Sequence, residues 1–166
     1  MTTYSKAEIE DFLYAEAALQ DAGDWEGWMA LWAPGEVELW IPVDPFEKDQ
    51  KNGASIIQDT RSLLEQRVKQ LAHRKLHSQQ PATRTSRIIG NIRLVEPVGG
   101  ADLSCAAQLH FVQFRPGRPE TRGQVSVLAG RVEHNLVRVN GEIKIRSKKI
   151  NIINSDGLLS NIQTLL

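Results

Sequence analysis

Apolar positions at the start of the chain recur at helical spacing. Ile9, Phe12, Leu13 and Ala17 make one stripe, and Ser5 with Glu8 ahead of them has the spacing of a capping box. The stripe ends at Asp21 to Gly23. Asp24 then stands as the N-cap of a second, short helix that Trp25 opens, with Trp28, Leu31 and Trp32 at i, i+3 and i+4 on one side. After the Ala33-Pro34-Gly35 break the period falls to two. Val37, Leu39 and Ile41 point one way while Glu36, Glu38 and Trp40 point the other, the pattern of a strand. A polar loop from Asp44 to Gly53 follows. Ser55 with Gln58 offers a second capping box, which predicts a third helix carrying Ile56, Thr60, Leu63, Leu64, Arg67, Val68 and Leu71 and fading into the basic, polar segment HRKLHSQQP.

From Thr83 onward the alternation is that of a sheet. Strands are predicted at Arg87 to Glu96, Leu103 to Arg115, Gly123 to Val139 and Glu142 to Asn154, separated by Gly99-Gly100, by the turn-rich RPGRPE and by Asn140-Gly141. Asn-Gly suits a two-residue type I′ hairpin, since both central positions need positive φ, so the last two strands should pair. Two slips of phase occur. Val125, Val127 and Ala129 are apolar at odd positions but Val132 and Leu136 at even ones, and Ile143 and Ile145 are out of step with Ile150 and Ile152. A β-bulge at each place restores one buried face and bends the sheet. Long bulged strands curling around the helices that precede them predict an α+β cone, a single domain over residues 1–166.

The chain has 166 residues, with 20 basic and 20 acidic side chains that cancel to a formal charge of zero. No net field draws it to nucleic acid or to an anionic membrane, so its partners are selected by shape. The start MTTYSKAEIEDF lacks the apolar stretch of a signal peptide, and no apolar run reaches the roughly 18 residues of a membrane span, which predicts a cytoplasmic protein. Cys105, the one cysteine, has no partner for an internal disulfide and alternates with Leu103, Ala107 and Leu109 as a core residue would.

All four tryptophans fall within DWEGWMALWAPGEVELWIP, residues 24–42. Together with FLYAEAALQDAGDW, DTRSLLEQRVKQL, ATRTSRIIGNIRLVE and IRSKKINIIN, in that order along the chain, this stretch resembles the small, or beta, subunit of aromatic-ring-hydroxylating dioxygenases, most of all the benzoate and anthranilate type. The resemblance implies a nuclear-transport-factor-2-like cone. It implies a partner too, a catalytic alpha subunit holding a Rieske [2Fe-2S] cluster and a mononuclear iron, in an alpha3beta3 hexamer fed with electrons from NAD(P)H by a separate reductase. Such an assembly adds both atoms of dioxygen to an aromatic ring, here an aromatic carboxylate by subgroup likeness, and makes a cis-dihydrodiol. The beta subunit would fix neighbouring alpha subunits in position for electron transfer.

No cofactor, metal or catalytic residue is assigned to this chain itself. A Rieske cluster takes two cysteines and two histidines, and a single cysteine cannot supply it. His73 and His77 share a helical face, but Arg74 and Lys75 stand between them and oppose a divalent cation. No phosphate loop, nucleophile elbow or HExxH motif appears. Cone folds also host lyases and isomerases with a pocket base, and others that bind small hydrophobic ligands. For such a role the sequence offers His134 on the expected buried face, His110 in the preceding strand and Asp44 at a strand mouth as an orienting partner. Candidate subunit-interface residues are Arg84 and Arg87 in ATRTSR and Arg146, Lys148 and Lys149 in IRSKK, which either pair with partner carboxylates or form a solvated face. The terminal Leu158, Leu159, Ile162, Leu165 and Leu166 are apolar enough to pack on the cone or on a partner.

Overall fold

The computed structural model describes residues 4–77, 82–117 and 122–157. Helix α1 (Lys6–Ala22) starts at the expected capping box: the Glu8 amide donates to Ser5 Oγ at 3.1 Å and the Ser5 amide to Glu8 Oε2 at 2.9 Å. It stops at Gly23, whose φ of 67° turns its amide back onto the Gln20 and Leu19 carbonyls. Helix α2 (Trp25–Ala30) is capped by Asp24, which accepts from the Gly27 amide at 2.9 Å. Trp28 stands edge to face between Trp25 and Trp32, with centroid distances of 6.1 and 5.4 Å. All three indoles are core, and Trp28 is fully buried.

Six strands follow: β1 (Glu38–Pro42), β2 (Ser55–Thr60), β3 (Arg84–Val95), β4 (Leu103–Arg115), β5 (Gln124–Val139) and β6 (Glu142–Ile152), with helix α3 (Arg61–His77) between β2 and β3. The sheet order is β2-β1-β6-β5-β4-β3, antiparallel except where β1 runs parallel to β6. One face of this mixed, curved sheet covers α1 and α2. There Ile9 and Leu13 meet Leu39, Ile41, Cys105, Phe111, Leu136, Ile145, Ile150 and Ile152 in the core, so the α+β architecture is the expected one. Asn140 and Gly141, at φ 51° and 86°, make the predicted hairpin.

The expected third helix starts later than the sequence suggests. Ser55 is no cap: its Oγ accepts from Trp40 Nε1 at 2.9 Å, and residues 55–60 pair with β1 as a strand. Ile57 and Asp59 then alternate inward, and Asp59 is clasped by both nitrogens of the Arg67 fork from α3. Pairing with an adjacent strand has overridden a local capping signal.

One of the two predicted bulges is present. Asn135 pairs with Ser147 and Leu136 with Ile145, which leaves Arg146 as the extra residue on β6. The other is absent, because β4 and β5 stay in register from Leu103↔Leu136 to Arg115↔Gln124. Leu128, Gly130, Val132, His134 and Leu136 form one continuous inner face, so Val125 and Val127, expected inside, point outward and are each 61% exposed. β3 carries a bulge of its own between Gly90 and Arg93, where Asn91 adopts φ 52°.

Candidate functional site

Three ionisable side chains meet inside the cone. α1 has the stripe Ile9, Leu13, Glu16, Ala17 and Gln20, all buried, which carries the Glu16 carboxyl onto the sheet's inner face. There Lys148 Nζ donates to Glu16 Oε1 at 2.7 Å, and Trp28 Nε1 donates to the same oxygen at 3.1 Å. His134 Nε2 lies 2.8 Å from Glu16 Oε2. The side chains of His134, Glu16 and Lys148 are 1%, 4% and 4% exposed.

Electrostatics assign the protonation states. Burial alone would raise the Glu16 carboxyl, but Lys148 and then His134 outweigh it and hold the group well below the usual carboxylate range. Burial lowers the His134 imidazole, with Glu16 opposing the shift. The ring is therefore neutral near pH 7, with Nε2–H donating to the carboxylate and buried Nδ1 left without a hydrogen bond among the described residues. Burial, reinforced by Glu16, pushes the Cys105 thiol up to about 12, so it stays protonated and unreactive. A second ion pair sits nearby on the same helix. Asp21 accepts from the Arg87 guanidinium, from the Arg87 amide at 2.8 Å and from Thr85 Oγ1 at 2.9 Å, while Arg87 also lies 4.6 Å over the Phe111 ring. These contacts tie α1 to β3, β5 and β6. Glu16 accepts from three side chains of its own chain on α2, β5 and β6, which makes the cluster a clamp between helix and sheet.

His134 is thus buried as the sequence predicts, but the other members of the hypothetical pocket are elsewhere. His110 is exposed on the outer face, and Asp44 is an exposed loop residue whose Oδ1 accepts from the Phe46 amide at 2.8 Å. His73 is exposed on α3, and the side chain of His77 lies outside the described residues, as do Leu158 to Leu166. Among the described residues no group of three His, Cys, Asp or Glu is placed to hold a metal, and no helix is long and apolar enough to cross a membrane.

The five charged interface candidates separate into two sets. Arg87 and Lys148 are turned inward and committed to Asp21 and Glu16. Arg84 lies outside, 4.8 Å over the Phe114 ring, and Arg146 is the half-buried bulge residue. Lys149 sits 4.3 Å over the Trp40 ring and donates to the Glu47 carbonyl at 2.6 Å, on the floor of an outer cleft roofed by residues 45–51. The sequence reading missed Glu16, although it falls three residues after Leu13 on the apolar stripe; an acid on such a stripe signals a buried partner. Lys148, two residues before Ile150 on the far side of the bulge, carried the same signal.

The chain is 35% identical over 103 residues to the toluate 1,2-dioxygenase beta subunit of Pseudomonas putida, a stretch that is 59% of this chain and 63% of that one. The solved beta subunit of the Burkholderia mallei benzoate 1,2-dioxygenase superposes with a TM-score of 0.75 at 26% identity, covering 99% of this chain and 100% of the other. An NTF2-like protein with a cystatin-like fold from Novosphingobium aromaticivorans shares the fold at a TM-score of 0.51 and 19% identity, over 90% and 82% of the two chains. The expected nuclear-transport-factor-2-like cone is the observed one. Residues 15–156 match the family described as ring hydroxylating beta subunit, and the chain belongs to that family.

Proposed function

We propose that this chain is the structural small subunit of the terminal oxygenase of an aromatic-ring dioxygenase, holding catalytic large subunits together in an alpha3beta3 hexamer. The large subunit would hold the Rieske cluster and the mononuclear iron and would receive electrons from a reductase. The observation that carries this reading is the end-to-end match in fold and sequence to a benzoate 1,2-dioxygenase beta subunit. Its substrate class follows from the same likeness. Relatives named for toluate and benzoate favour an aromatic carboxylate dihydroxylated to a cis-diol.

The role of this subunit is geometric. Helix and sheet are locked by Glu16–Lys148–His134 and Asp21–Arg87, which gives a rigid body able to hold neighbouring large subunits at a fixed separation. Of the five charged interface candidates, Arg84, Arg146 and Lys149 are the ones not committed to a buried ion pair with α1, and Arg87 and Lys148 brace the sheet from within.

Co-expression with the cognate large subunit tests the reading. Size measurement should give a six-chain complex that hydroxylates an aromatic carboxylate, and the large subunit alone should assemble poorly. Turnover of a small substrate by the isolated small subunit, lost in His134→Ala, would favour a free-standing lyase and overturn it.

A further inference from the structure

The strand registers line up the outward residues of β3, β4 and β5 in rows: Arg84–Phe114–Val125, Ser86–Val112–Val127 and Ile88–His110–Ala129. Ile88 is 68% exposed, Val125 and Val127 61% each, and Val112 36%. Ile153, also exposed, extends the third row, since its amide donates to the Ala129 carbonyl at 3.0 Å. An outer sheet face is ordinarily polar, so branched aliphatic side chains gathered over three strands mark a surface that meets something.

Among the described residues of these strands, the rim of this patch has one sign. Arg84 lies over Phe114, Arg115 and Arg122 are exposed at the same end, and Arg131 follows in the next row with Gly90 and Gln108. None of the described residues in these four rows is acidic. The next outward residue along β5 is Glu133, already 2.9 Å from Arg131.

We propose that this apolar, arginine-rimmed face docks the catalytic large subunit, through an apolar surface edged with carboxylates. The inference rests on the beta-subunit reading above and names the surface through which that role is exercised. Charge decides against a second copy docked face to face on the same patch. Two such faces related by a two-fold axis would set Arg84, Arg115 and Arg122 against one another, whereas a partner edged with Asp and Glu turns the same arginines into forked pairs.

The test titrates the full-length chain, and its Val127→Glu, Ile88→Glu and Arg84→Glu variants, against the purified cognate large subunit at low and high salt. Val127→Glu and Ile88→Glu should weaken binding by at least about 30-fold, the scale of a central interface residue, with the melting temperature of the free chain unchanged. Arg84→Glu should weaken binding and flatten its salt dependence, while Leu63→Glu on α3 should do neither. Wild-type binding that no patch variant alters overturns the docking face and leaves the beta-subunit reading standing. Failure of the wild-type chain to bind at all removes both. Variants that break up self-association of the free chain at unchanged affinity for the large subunit assign the face to a second copy. A fall in the melting temperature of free Val127→Glu would show that the patch is covered by the chain's own residues; either result overturns the proposal.

Discussion

Glu16 shows how much a single position can carry. Its carboxylate is desolvated on α1 and offset by Lys148 from β6 and by the donors of His134 and Trp28. Glu16→Gln keeps the shape but removes the carboxylate that the buried Lys148 ammonium donates to, so urea denaturation should show a loss of about 3–5 kcal/mol. Adding Lys148→Met should recover most of it, because removing both charges is far cheaper than removing one. The pH profile has a defined sign. His134 has a folded pKa below its ordinary 6.5, so the unfolded chain takes up a proton first and stability falls as pH drops below that value. Glu16 also has a lowered folded value, so its contribution is complete above 4.5 and is lost as pH falls further. Thermal melts from pH 8 to 3 should therefore decline gently below 6.5 and steeply below 4.5, and Glu16→Gln should lack most of the steep limb. Of this cluster only His134 was legible, because alternation places a strand residue on a face directly. Glu16 and Lys148 read as ordinary surface charges until their positions on apolar stripes are weighed.

At the scale of elements, whatever depended on local chemistry was readable. The Ser5–Glu8 box, the Gly23 stop, β4 and the Asn140-Gly141 hairpin all stand where the pattern puts them. The misreadings arose where a distant partner decides. Ser55–Thr60 became a strand because β1 lies beside it, and the phase slip at Gly130 proved to be a continuous inner face. Periodicity distinguishes two faces of a strand without saying which one the helices cover. Gly130 is there because the backbones crowd: a Cβ would stand 2.4 Å from the Asn151 carbonyl oxygen and 3.0 Å from Ile152 Cα. Gly130→Ala must displace β6 and should cost about 2–3 kcal/mol. Gly141→Ala, with open space around it but φ at 86°, should cost only about 1 kcal/mol of backbone strain. Chemical denaturation of the two variants side by side checks this order; an equal or reversed cost would mean that the close approach at Gly130 relaxes freely.

For the whole molecule, on the proposed reading, the same two faces divide the labour, the inner one holding the fold and the outer one offered to partners. A subunit that acts by shape should transmit a core defect to assembly and not to chemistry. Glu16→Gln, weakened as a free chain, makes that separable. Binding of the folded form to the large subunit adds about 2.7 kcal/mol of stability once the free partner is a hundredfold above Kd, a contribution equal for the variant and the wild type if the outer face is intact. With the large subunit in excess, the variant should assemble into full-size complexes even where the free chain is partly unfolded. Turnover per mole of assembled iron should then match wild type within about twofold, with KM unchanged. At limiting large subunit the yield of complex should fall instead, and with it the bulk rate. Turnover depressed inside fully formed complexes would show that the Glu16 cluster reaches the reacting centre, a role that a clamp between helix and sheet does not have.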